Sequence, residues 1–233
     1  MRGLAAQTIA PTGEEHRYFA RVFAWMAVAL GVTGGVAAAV GHSQTAMHIL
    51  FSGTGWWLWL ACVVIELLLV SALVSLVQHM DLFEAAATFL GFAALNGVTV
   101  SLIFAEYTTK SIFATFLITA GMFAALALVG ATTSIDLTKW SSILLMALVG
   151  QLIGLVVNLF WLNSTLYWVT TATGILLFSA LTAYDIQKLK RYDLPGEGNG
   201  SAVEKSAIVG ALALYLDFVN LFLYLLRLFG RRR

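Results

Sequence analysis

Three acidic residues stand inside long apolar stretches: Glu66 between VVI and LLLV, Asp185 in TAYDIQKLK, and Asp217 in LYLDFVNLFLYLLRL. A carboxylate near the middle of a bilayer costs roughly 2.5 to 3.5 kcal/mol on insertion scales, so each one requires a partner, water or a proton. Glu66 has no basic residue one helical turn away. Asp217 has Asn220 three residues on, on the same helical face. Asp185 has Lys188 at the same spacing, and an interfacial ion pair between them is the plainer reading. Burial disfavours the charged form of a carboxyl, and a second carboxylate nearby disfavours it further. Acids on adjoining helices can therefore share a proton, or offer oxygens to a hard cation such as Ca²⁺. A high-affinity calcium site takes about six to eight oxygens. Asp185 and Asp217, with Asn220, would make only a weak, transient metal site, suited to passage rather than storage. The alternative for each carboxyl is a protonated or water-bonded group that fixes helix packing.

Such placements presuppose helices in a membrane. Of the 233 residues, 60% are hydrophobic and 11% charged, against about 45–50% and about 25% in an average soluble domain. A soluble globular enzyme is excluded. The chain shows no nucleophile with a base and no glycine-rich nucleotide loop, so neither catalysis nor a cofactor is expected. A net charge of +1 gives no basic field for nucleic acid, and the single cysteine, Cys62, cannot form a disulfide within the chain.

A spanning helix needs roughly 20 mostly apolar residues. Seven runs qualify, at about 22–41, 56–77, 82–104, 112–131, 141–161, 166–188 and 207–229. They lack the period-two alternation of barrel strands, so the expected fold is an all-α integral membrane protein of seven transmembrane helices. The organisation expected is a cytoplasmic N-terminal arm over 1–21, a transmembrane domain over 22–229 and a basic tail over 230–233.

With the N-terminus inside, the cytoplasmic side holds Arg2, Arg17, Arg21, Lys139, Lys188, Lys190, Arg191 and Lys205, and the outer loops hold Lys110 alone. Arg231, Arg232 and Arg233 run against that bias. Either the seventh helix spans in spite of its tail, or it is re-entrant and returns the tail to the cytoplasm; spanning is favoured by the length of the run from Ala207 to Phe229. Asn96, within AALNGVTVSLIF, is read as an interhelical hydrogen-bonding residue with a lesser chance of lining a pore, and Gln151 and Asn158 share that ambiguity. Trp56, Trp57, Trp161, Tyr167 and Trp168 lie near span ends and are read as interfacial anchors.

The segments AALNGVTVSLIF, TAYDIQKLK and ALALYLDFVNLFLYLLRLFG, with the seven-span count, resemble the Bax inhibitor motif family of membrane proteins from about Arg17 to Gly230. The resemblance implies a seventh helix central among the other six, and a pH-sensitive calcium leak. Its proton-controlled latch would be the pair Asp185 and Asp217, with Glu66 lining the ion route; Asn220 and Asn96 are added to that route from their positions. Calcium is then cargo, protons the control and the lipid bilayer the surroundings. The family also suggests a non-conducting regulator of another membrane protein, such as a membrane protease or a cell-death regulator. The short arms look like those of a bacterial member, in the cytoplasmic membrane. Where some bacterial relatives carry an arginine cluster at the cytoplasmic end of the second span, this chain reads Val77, Gln78, His79.

Overall fold

The computed structural model of the protein describes residues 13–51, 53, 55–161, 163–191 and 200–233. Residues 1–12 of the expected N-terminal arm, Arg2 among them, lie outside the described residues. Nearly everything described is helix, because backbone groups in lipid must bond within their own segment. The α-helices are α1 (Gly13–His42), α2 (Gln44–Phe51), α3 (Gly55–Leu76), α4 (Leu82–Val100), α5 (Ile103–Glu106), α6 (Thr109–Thr132), α7 (Ser141–Trp161), α8 (Ser164–Lys190) and α9 (Gly200–Phe229). A 3-10 turn over Leu137–Trp140 leads into α7. Seven segments are long and apolar enough to cross a membrane: α1, α3, α4 with α5, α6, α7 with its 3-10 turn, α8 and α9.

Local signals fix the ends. Asp81 caps α4 by accepting from the Glu84 amide at 2.7 Å, and the Glu84 carboxylate accepts from the Asp81 amide at 2.9 Å, a reciprocal capping box. The Asn163 side chain caps α8 through the Leu166 amide at 3.0 Å.

Two helices outrun the sequence expectation. The first begins by Gly13 rather than at residue 22, because Tyr18 and Val22 are buried and Arg21 pairs with Glu204 at 3.1 Å. The seventh begins at Gly200, seven residues before Ala207. Its extra turns are held by Glu204, which also accepts from the Trp25 indole at 2.8 Å, and by Lys205, whose Nζ donates to the carbonyls of Gln78 and Met80.

Burial separates the spans. In the most apolar stretch of α9, 72% of residues are buried, against 6% in α3 and in the span of α7. The main packing partners of α9 are α1, α4, α6 and α8; α3 lies against α4, and α7 against α8. Leu67, Leu68, Met146 and Phe160 point outward from α3 and α7, as lipid-facing residues do.

The seventh helix crosses fully. It is unbroken to Phe229, and the tail after it docks on the connection between the third and fourth spans: the Thr108 amide donates to the Arg231 carbonyl, and the Arg233 amide to the Glu106 carbonyl. The re-entrant alternative is thereby set aside. Three arginines sit at this end because the chain ties them down locally.

Lipid supplies no hydrophobic drive between helices, so close backbone approach at small residues holds the bundle together. A Cβ at Gly130 would lie 2.9 Å from the Cα of Ala183, and one at Gly174 would lie 2.6 Å from the Tyr224 ring. Gly31 has nothing within 4 Å. Gly130→Val is expected to destabilise the fold by about 1–3 kcal/mol through overpacking, while Gly31→Ala changes stability by less than about 0.5 kcal/mol. Thermal melting of both variants in detergent, beside the parent, checks the contrast.

Candidate functional site

Asp217 lies in the most enclosed part of the bundle, 4% exposed, because it occupies the buried side of α9 among Leu214, Phe218 and Leu221. Asp185 reaches the same place from α8, and the two carboxyl groups face each other within hydrogen-bonding reach. The early start of α9 explains the meeting: Asp217 lies well into the helix from its charged end, and so comes level with an aspartate near the charged end of α8. Oδ2 of Asp217 is buried and has no hydrogen-bond partner among the described residues. A bare carboxylate opposite cannot donate to it; a protonated one can. Two carboxyls this close either share a proton or, both charged, repel.

The ion pair expected between Asp185 and Lys188 does not form; Lys188 lies over the Tyr184 ring, 6.0 Å from its centre. His79 makes no described ion pair or side-chain hydrogen bond with either aspartate. Asn220 donates to the Leu216 carbonyl of its own helix at 2.8 Å rather than to Asp217. Among the described residues no three His, Cys, Asp or Glu side chains cluster in a way that would hold a metal.

Glu66 belongs to a second group, reached through Asn96. The Asn96 amide donates to Glu66 at 3.1 Å and the Thr99 hydroxyl donates to its other oxygen at 2.8 Å. The Tyr215 hydroxyl donates to Asn96 Oδ1 at 2.9 Å and lies 2.7 Å from the Thr33 hydroxyl, which donates to the Ala93 carbonyl at 2.8 Å. This continuous polar chain joins α3, α4, α1 and α9. Its last member on α9, Tyr215, sits two residues before Asp217. Asn96 therefore acts as an interhelical hydrogen-bonding residue.

Tyr215 and Thr33 were not among the sequence candidates. The available signal was a tyrosine in the middle of a span, whose hydroxyl must find a partner once buried. Gln151 is likewise an interhelical residue: it donates to the Thr170 carbonyl and to the Tyr224 hydroxyl, both at 2.7 Å, and accepts from Thr173 at 2.9 Å.

Two cavities adjoin Phe218, the residue after Asp217. One of about 770 Å³ opens among Phe19, Phe23, Met26, Phe123 and Leu128, and one of about 280 Å³ among Leu30, Ile112, Phe116 and Phe222. Both are largely apolar, although His16 and Lys190 also line the larger one.

A bundle with seven segments long and apolar enough to cross a membrane, and an acid pair against its most buried helix, defines an integral membrane protein of the seven-helix class. The family described as inhibitor of apoptosis-promoting Bax1 matches residues 15–233, and the chain belongs to it. It is 41% identical to the inner membrane protein YbhL of Escherichia coli strain K12 over 227 residues, which cover 97% of this chain and 96% of that one. It is 39% identical to an uncharacterized protein of Borreliella burgdorferi over 219 residues, 94% of each chain. An uncharacterized membrane protein of Streptococcus pyogenes is 38% identical over 147 residues, 63% of each.

A double-mutant cycle of Asn96→Ala with Tyr215→Phe is expected to give a coupling energy of about 0.5–3 kcal/mol, because the two side chains share one bond in a common network. The cycle is read by melting in detergent. Additive losses would mean that the bond carries no energy of its own.

Proposed function

We propose that the protein is a passive calcium leak gated by the proton shared between Asp185 and Asp217, opening when that proton leaves. The reading is carried by the facing of these two carboxyls in the core, with one Asp217 oxygen left without a donor. With a proton shared, the pair holds α8 against α9. Without it, two negative charges in a poorly solvated site push apart, and the repulsion is relieved by separating the helices or admitting water and cations. Glu66, held in the polar chain by Asn96 and Thr99, is the acidic station on the route, and Asn96 and Asn220 add amide oxygens along it.

No catalytic step and no cofactor belong to this reading; calcium is carried rather than kept. The apolar cavities beside Phe218 fit the closed member of the two conformations. Similarity to YbhL supports a bacterial inner membrane. The sequence's count of basic residues supports an N-terminus on the cytoplasmic side.

Purified protein in liposomes loaded with a calcium indicator tests the proposal, with entry followed from about pH 6 to about pH 8. One shared proton changes the open fraction by up to about tenfold per pH unit. Asp217→Asn is expected to make entry independent of pH, and Glu66→Gln to lower it roughly tenfold by removing the negative charge that concentrates cations. No calcium entry at any pH would overturn the leak and favour a non-conducting regulator that binds another membrane protein.

A further inference from the structure

At the end of the bundle remote from the acid pair's charged loops, a cavity of about 560 Å³ has Tyr167, Trp168, Arg227, Leu228 and Arg232 in its lining. Nothing in the proposed leak uses it. Arg227 is half-buried there, with its guanidinium 5.7 Å from the centre of the Tyr167 ring and 5.3 Å from that of Tyr224. Arg232 lies over the other aspect of the site, 5.8 Å from the Tyr167 ring centre, and donates to the Tyr167 hydroxyl at 3.1 Å.

Neither guanidinium forms an ion pair among the described residues, and Arg227 has no hydrogen-bond acceptor there. Ring contacts occupy the faces of a guanidinium and leave its N–H edge free to donate. The side chains around it supply little negative charge. Glu106 is the sole acidic side chain in the stretches 42–58, 101–112, 158–168 and 224–233 that form this end, against Lys110 and four arginines. Burial pushes the Tyr107 phenol up, so that tyrosine stays neutral beside Arg232.

The position selects the ligand. Trp161, Trp168, Leu228 and Phe229 are exposed around the same end, where the spans meet the membrane surface. A cationic recess bordered by aromatic and aliphatic side chains at that depth matches a molecule with an anionic head and apolar chains. We propose that the Arg227 and Arg232 recess binds the phosphate of an anionic phospholipid, with the guanidinium edges donating to its oxygens and the acyl chains lying along Trp168 and Leu228.

The test uses the full chain in a neutral detergent, titrated with dioleoylphosphatidylglycerol, with dioleoylphosphatidylcholine and with inorganic phosphate. Lipid retention is read by native mass spectrometry and the melting midpoint is followed in parallel. Phosphatidylglycerol is expected to bind and raise the midpoint, and Arg227→Gln to bind it about tenfold more weakly, the loss of one charge-assisted contact. Arg227 donates no described hydrogen bond within the protein, so this variant keeps the fold's internal bonds. Lys110→Gln, which removes a cation from the same end but outside the recess, is expected to bind as the parent does.

Equal affinity of parent and Arg227→Gln for phosphatidylglycerol would overturn the proposal. So would phosphatidylcholine binding as tightly as phosphatidylglycerol, or an equal loss in Lys110→Gln. Displacement of the lipid by inorganic phosphate at low concentration would assign the recess to the free anion and overturn the lipid source. None of these readouts depends on calcium flux.

Discussion

Every polar atom that the bilayer encloses must find its partner inside the protein, and the arrangement of this bundle follows from that constraint. Glu66 alone on α3 would be an acid in lipid. With Asn96 and Thr99 donating to it, and Tyr215 and Thr33 continuing the chain, its cost is spread over four helices. Asp185 and Asp217 meet in the same core, and Asp217 Oδ2 has no hydrogen-bond partner among the described residues. The first group spans four helices through hydrogen bonds between its side chains; the second brings two acids together with one oxygen left without a donor among the described residues.

The last helix links the two. It carries Tyr215 into the network and Asp217 into the acid pair, separated by a single residue. Its ends are anchored independently, by Glu204 and Lys205 at one side of the membrane and by the tail's backbone bonds to Glu106 and Thr108 at the other. Small residues let its neighbours close on it, as at Gly174 under Tyr224 and Gly210 under Leu189. The helix is thus held at both ends and along its length.

Much of this was legible in the sequence. Hydropathy alone placed all seven spans, since twenty apolar residues in a row have few other uses. The three acids inside the spans, Asp217 buried and Glu66 and Asp185 partly so, were visible for the same reason. Less visible were the true starts of α1 and α9, because their polar first turns bury one face against each other through Tyr18, Arg21 and Glu204, and hydropathy averages such faces away. The partners of Glu66 were partly legible: Asn96 stood out by its amide, whereas Tyr215 and Thr33 look like ordinary span residues until three helices are brought together. The arginine tail ran against the charge bias although length already favoured a spanning seventh helix. Counting charges by side ignores cations that are stacked on tyrosines and held by backbone bonds.

The polar network also has a consequence for biogenesis. Its members come from the first, second, third and seventh spans, while the fourth, fifth and sixth are made in between. During synthesis Asn96 and Thr33 are in the membrane long before Tyr215 leaves the ribosome. The first three spans therefore wait with an unfinished seam, open to lipid or to an insertion factor, until the last helix arrives and closes it.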